Sequence, residues 1–328
     1  MDALIFSSGN DRSSFPDRAH RGTTPARWRK IQYSIATTAF LSFFSAQYCN
    51  AEPIPRTQIK SFDAPDASQT MPKDINNSLT IVGTAYHPDN TDTSFVYRNG
   101  IRETTSPTRI YYAINDQGQI FGAEYQQTTN GNLATTCLVK TGNDIVYSNP
   151  PCITPTTTND NGVTIGESEE HVFIAKGDDV WLFLEDWEDI DPEDEGGVHG
   201  TSAVNINNSD VVVGNFIVNG GGVGGYIYDH RNGSLTTVHH PSGEDTELNR
   251  INDWGLIVGN HYPGDETSQG FAYFDGKFIP VEVGKLSTTV TGVNEWGFIT
   301  GSYRDSWQEK EHAYVAHILP FIFWDQIN

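Results

Sequence analysis

Ile251-Asn252-Asp253-Trp254-Gly255-Leu256-Ile257-Val258-Gly259 decides how this 328-residue chain is read. An apolar residue precedes Asn, a two-residue turn follows, and a short β-type run ends on Gly. The same nine-residue frame recurs from Ile75 to Gly83, Ile114 to Gly122, Thr158 to Gly166, Ile206 to Gly214 and Val293 to Gly301. The six Asn residues stand at 76, 115, 159, 207, 252 and 294, so the period is 39 to 48 residues. That is the length of a four-stranded unit.

Working outward from the frame, Asn-Asp-x-Gly between two β-rich runs predicts a tight hairpin, with Asn capping its own backbone and Gly in the left-handed conformation. About twenty residues further on comes a second β-type run with an aromatic at an equivalent place: Phe95, Phe173, Tyr226, Phe271 and Tyr314, with Cys137 expected there in the second copy. A second tight turn follows, as at Asn99-Gly100 and Asp275-Gly276, and leads to a fourth strand. Each repeat is thus two hairpins. The run after each turn carries apolar residues on both faces, Ile81 and Val82 for example. Both faces must therefore be covered by neighbouring units, and radial stacking does this without long exposed edges. The predicted fold is an all-β, six-bladed β-propeller of four antiparallel strands per blade. An open β-solenoid is the alternative. Residues 58–65 read as a fourth strand placed before the first Asn, able to complete the last blade and close the ring.

The signature, followed by His312-Ala313-Tyr314 and, less closely, His171-Val172-Phe173, resembles the HAF-type extracellular repeat family, named for its His-Ala-Phe triplet. Gln269, Gly224, Thr135 and Thr93 hold the His place in the other copies, so the triplet is degraded. The resemblance covers roughly residues 74 to 316. It implies an exported, bacterial-type repeat protein of propeller-like fold, and it implies no catalytic residues.

Residues 1–51 read as a basic leader and signal peptide: Arg21, Arg27, Arg29 and Lys30 precede an apolar run from Ile35 to Ala46 and a small-residue site, with cleavage expected after Ala51. That run is about half the ~20 residues a spanning helix needs, so no stable membrane insertion is expected after processing. Bulky Tyr48 argues against lipidation at Cys49. Residues 52–328 then form one propeller domain, secreted, periplasmic or on the cell surface. The whole chain carries a formal charge of −22, and loss of the basic leader makes it more acidic still. Such a charge excludes nucleic acid and anionic membrane surfaces as partners. Cys137 and Cys152 are the expected disulfide of an oxidising compartment, with two inert buried thiols as the alternative. If the hairpin between them turns at Gly142-Asn143, Cys137 faces a residue close to Ser148, so the chain must bend back for the bond to form.

One face of such a ring carries the short Asn/Asp/Gly turns, the other the loops that differ from copy to copy. Ligands bind at variable loops on a rigid scaffold. Near the start of those loops stand Tyr86, Tyr125, Tyr262 and Tyr303, with His87, His261 and Arg304 adjacent. Tyr and His there are suited to stacking on a sugar and bonding its hydroxyls; packing between blades is the competing reading. Trp254 and Trp296 share one turn position, as a two-ring platform or folded onto neighbouring blades. Asp189, Asp191 and Glu193 alternate in an acidic stretch as weak Ca²⁺ ligands, without the Gly and Glu an EF-hand loop needs; a solvated loop is the simpler reading. No other cofactor is expected. Nucleophile elbow, His-Glu-x-x-His and phosphate-loop motifs are absent from the sequence. The expected function is a binding module for an extracellular glycan or protein ligand. The alternatives are a polysaccharide lyase or hydrolase with residues from several blades, or a structural surface protein.

Overall fold

In a computed structural model of the protein, residues 59–127, 133–147, 155–168, 171–177, 179–183, 198–218, 222–242, 245–264 and 267–318 are described. They form six antiparallel sheets, and no helix occurs among them. The first blade is β2 (Gln69–Ile75), β3 (Ile81–Tyr86), β4 (Asp92–Tyr97) and β5 (Ile101–Thr104), paired in that order. The second is β6 (Arg109–Ile114), β7 (Gln119–Gln127), β8 (Leu133–Thr141) and β9 (Asp144–Tyr147). The third is β10 (Pro155–Thr158), β11 (Val163–Ser168), β12 (His171–Lys176) and β13 (Asp179–Phe183). The fourth is β14 (Val198–Ile206), β15 (Val211–Val218), β16 (Val223–Asp229) and β17 (Ser234–Val238). The fifth is β18 (Asp245–Ile251), β19 (Ile257–Tyr262), β20 (Gln269–Phe274) and β21 (Lys277–Val281). The sixth holds β22 (Ser287–Thr288), β23 (Gly292–Val293), β24 (Phe298–Arg304) and β25 (His312–His317), and β1 (Ile59–Phe62) supplies its outer strand. The protein is a six-bladed β-propeller closed by its own N-terminal strand.

Closure rests on register and packing together. Ile59 pairs with Ala316 and Phe62 with Ala313, while the Phe62 ring stacks on Tyr97 of the first blade at 4.0 Å. Burial of such aromatic surface ties the two ends of the ring.

The signature's last Gly has a packing cause. In the first five blades the innermost strand carries a bulge three residues before Asn, as between Leu248 and Arg250. The carbonyl just before the bulge then sits against the second strand, where a Cβ on Gly259 would lie 2.1 Å from the Glu247 oxygen and 2.7 Å from the Phe271 ring. Gly83 and Gly214 meet the same carbonyl and ring, and Gly122 and Gly301 meet the carbonyl. The third-strand aromatic needs the Gly opposite it, and Gly83 pairs with Phe95, Gly166 with Phe173 and Gly259 with Phe271. In the second blade Gly122 pairs with Leu138. Leu138, and not Cys137, therefore takes the aromatic place, because the antiparallel register sets Leu138 opposite Gly122 and Cys137 opposite Ala123, on the other face of the sheet.

Leu138 pairs with Tyr147, and Ser148, the residue expected opposite Cys137, lies outside the described residues. Cys137 is disulfide-bonded, and Cys152 lies outside the described residues.

Candidate functional site

Each signature Asn holds its own turn, and five of the six reach into the next, Asn115 donating instead to Gln119 Oε1 in its own blade. The Asn294 carboxamide oxygen accepts the N–H groups of Trp296 and Phe298 at 3.0 and 2.9 Å. Its Nδ2 donates to the Asn76 carbonyl at 3.1 Å, 218 residues away. Asn76 donates likewise to Asn115 O, Asn159 to Asn207 O, Asn207 to Asn252 O and Asn252 to Asn294 O. The left-handed residue of the turn is Gly118, Gly162, Gly255 or Gly297 in four copies, and Leu79 or Asp210 in the others.

This ring surrounds the propeller axis, where a solvent-open cavity is lined from all six blades. Its floor is an ion pair. The Arg250 guanidinium, on the fifth blade, lies 3.1 Å through Nε from Asp74 Oδ1 on the first blade. It also donates through Nη2 to the Tyr112 carbonyl of the second blade at 3.1 Å. Asp74 accepts the N–H groups of Ile75 and Ile114 as well. Burial pushes the Asp74 carboxyl above its usual range, against the opposing pull of Arg250 and those donors. Burial, and then Arg250, push the Lys73 amine down.

The rim is built by the residue after each signature Asn: Asn77, Asp116, Asp160, Asn208, Asp253 and Glu295. Most neighbours are linked side chain to turn. Asn77 N–H donates to Asp116 Oδ1 at 2.8 Å and its carboxamide also bonds that carboxylate. Asn208 donates to both Asp160 and Asp253. Asp253 N–H donates to Glu295, and Glu295 N–H to Asn77 Oδ1. Burial and the neighbouring charges of Asp253, Asp116 and Asp160 push the Glu295 carboxyl up to about 7. Asp116 is likewise raised by burial and then by the negative charge of Asp160. Among the described residues, no group of three or more His, Cys, Asp or Glu is placed to hold one metal ion. The spread of carboxylates suits an extended organic cation.

The residues singled out from sequence lie elsewhere, and none of them lines the axial cavity. Tyr125 OH is 2.6 Å from Tyr112 OH, and Tyr262 OH donates to Glu247 Oε2 at 2.6 Å. Tyr86 is partly buried, and its phenol is pushed up by burial and then by Asp92 and Glu311. His87 lies 3.0 Å from Thr93 Oγ1, and buried His261 stacks on His240 at 3.7 Å. Tyr303 stands two residues after its Gly where the other three stand at three, so it faces the opposite side of its strand and meets Ser61 Oγ at 2.9 Å. Arg304 takes the equivalent place, 3.9 Å from Glu311. Trp254 folds onto the sixth blade, donating Nε1 to Glu295 O at 3.0 Å with its ring edge-on to Phe274, whereas Trp296 is 61% exposed. The stretch with Asp189, Asp191 and Glu193 lies outside the described residues.

Sequence reading missed the rim because Asn-Asp-x-Gly is explained fully by turn chemistry. The available signal was the variation at its second place, with four acids among six copies. The cavity floor had a fainter one, the residue two before Asn, which is Asp74, Ala113, Thr157, Asn205, Arg250 or Gly292.

No protein-family model and no curated protein matches the chain. Among solved structures it is similar to the β-propeller domain of the Trilobed protease from Pyrococcus furiosus, at 11% identity and TM-score 0.46, over 76% of this chain and 94% of that one. TolB from Acinetobacter baumannii matches at 10% identity and TM-score 0.47, over 77% and 65% of the respective chains. The six-bladed fucose-recognising Aleuria aurantia lectin matches at 10% identity and TM-score 0.39, over 66% and 78%. Each is a likeness of fold. Among the described residues no helix is long and apolar enough to cross a membrane.

Proposed function

We propose that this protein is an exported, HAF-type binding module whose extracellular ligand presents positive charge to the mouth of the central channel. The observation that carries this reading is the axial cavity with its rim carboxylates, Asp116, Asp160, Asp253 and Glu295, contributed by four blades. Like charges held together cost free energy that a bound cation offsets. Lysine- or arginine-rich peptides, linear polyamines and glycans of free amino sugars all have this chemistry. Trp296, exposed one position beyond Glu295, adds an aromatic surface for an ammonium group or a sugar ring.

The test is titration calorimetry of the mature protein with a linear triamine, a lysine-rich peptide, a glucosamine oligomer and its N-acetylated counterpart. Binding of the cationic members should weaken as salt rises from about 0.05 to 0.5 M and drop at least tenfold in Asp253→Asn/Glu295→Gln. If only the neutral oligomer binds, the ligand belongs instead to the opposite face with Tyr86 and His87. New reducing ends during incubation would mark an enzyme.

A further inference from the structure

We propose that the turns of the sixth and first blades carry an apolar shelf, Trp296 with Leu79, that selects basic peptides bearing a large apolar side chain next to Lys or Arg. This selectivity rests on the cationic mouth proposed above and narrows its ligands to one class. Trp296 and Leu79 are both exposed and stand on adjoining turns. Asn294 donates to Asn76 O and Glu295 N–H to Asn77 Oδ1, so the turn of Trp296 is bonded to the turn of Leu79. The indole of Trp254, at the same turn place one blade earlier, reaches forward to the following turn at Glu295 O. From Trp296 the following turn is the one that holds Leu79.

Turn chemistry does not account for Leu79. It holds φ at +55°, where Gly118, Gly162, Gly255 and Gly297 stand in other copies. That conformation costs a leucine free energy that a glycine avoids. Asp210, at this place in the fourth blade, uses its side chain within the protein: it accepts Asn159 Nδ2 at 3.2 Å and lies 3.8 Å from Arg231. Leu79 turns an apolar side chain to solvent instead, and backbone strain kept at an exposed position points to a contact with something outside the fold.

The charge beside the shelf says what that something is. Glu295 immediately precedes Trp296 and shares its surroundings with Asp253 and Asp116. A cation held there brings the next group of its ligand onto Trp296 and Leu79. An amino-sugar ring would set hydroxyls against a leucine that has no hydrogen-bonding group to meet them. A linear polyamine carries no bulky apolar group to bury. A peptide with leucine or phenylalanine next to lysine meets both demands, charge at the rim and apolar burial on the shelf.

Titration calorimetry of the mature protein with two peptides of equal charge and length tests it. One has lysines separated by single glycines; in the other, one of those glycines is leucine. The leucine peptide should bind about tenfold tighter, the ratio that burying much of one such side chain gives. Leu79→Gly, which installs the residue four other copies carry, and Trp296→Ala should each bring that ratio below about threefold. Asp253→Asn/Glu295→Gln should weaken both peptides and leave the ratio unchanged. Equal affinities, or a ratio that survives both shelf substitutions, would overturn the shelf and leave the cationic mouth standing; no binding of either peptide would overturn both. Ile318 N–H bonds Gly297 O beside Trp296, so a leucine preference seen only after removal of residues 320–328 would assign the shelf to the chain's own end. A concentration-dependent dimer lost in Trp296→Ala would assign it to a second copy. Either result would overturn the proposal.

Discussion

Replacing Glu295 by Gln should stabilise the protein at alkaline pH and do nothing at acid pH. Glu295 accepts Asp253 N–H at 2.9 and 3.0 Å on its two oxygens, and one carboxamide oxygen can keep that bond. What is lost is a charge crowded by Asp253, Asp116 and Asp160, with burial the largest cause of a carboxyl raised from 4.5 to about 7. A carboxyl whose folded value lies above its unfolded one holds its proton more tightly when folded. The penalty is absent below about pH 4.5, builds as pH rises through 4.5 to 7, and is complete above about 7. At about 1.4 kcal/mol per tenfold, the unscreened cost is near ~3 kcal/mol. The side chain is partly exposed, so solvent screening reduces it to about 1 kcal/mol. For a domain of this size that corresponds to a melting temperature higher by about 2–4 °C. Calorimetric melting of both proteins from pH 4 to 8 measures it. The same gain at pH 4 as at pH 8, or a loss at pH 8, would refute the electrostatic account of the rim.

Asn294→Ala removes two turn bonds and the inter-blade bond of a buried side chain and should cost about 3 kcal/mol. Asn115→Ala, which breaks no inter-blade bond, should cost at least about 1 kcal/mol less in urea denaturation. Gly259→Ala drives a Cβ into the Glu247 carbonyl, so a loss of about 1–3 kcal/mol or failure to fold is expected. Leu79→Gly relieves a left-handed leucine that is 40% exposed; after the entropy of Gly is subtracted, a gain of about 0.5 kcal/mol should appear in the same assay. Arg250→Ala leaves Asp74 buried and unpaired, costing about 3–5 kcal/mol, most of which Asp74→Asn in the same background should restore.

The nine-residue signature by itself determined the blade count, the hairpin turns with their left-handed glycines and, with residues 58–65, the way the ring closes. These are local matters: turn chemistry and strand alternation act between residues a few positions apart, so they are written in contiguous sequence. Tyr303 shows the limit even here, since a one-residue difference in distance from Gly301 turns it to the opposite face and separates it from the other three tyrosines. The axial cavity was decided by tertiary structure alone. Asp74, Tyr112 and Arg250 meet across the axis from blades that no local rule makes opposite, and Asn294 reaches Asn76 only once the ring is closed. Residues that each serve a turn acquire a shared electrostatic field because closure points all six turns at one axis.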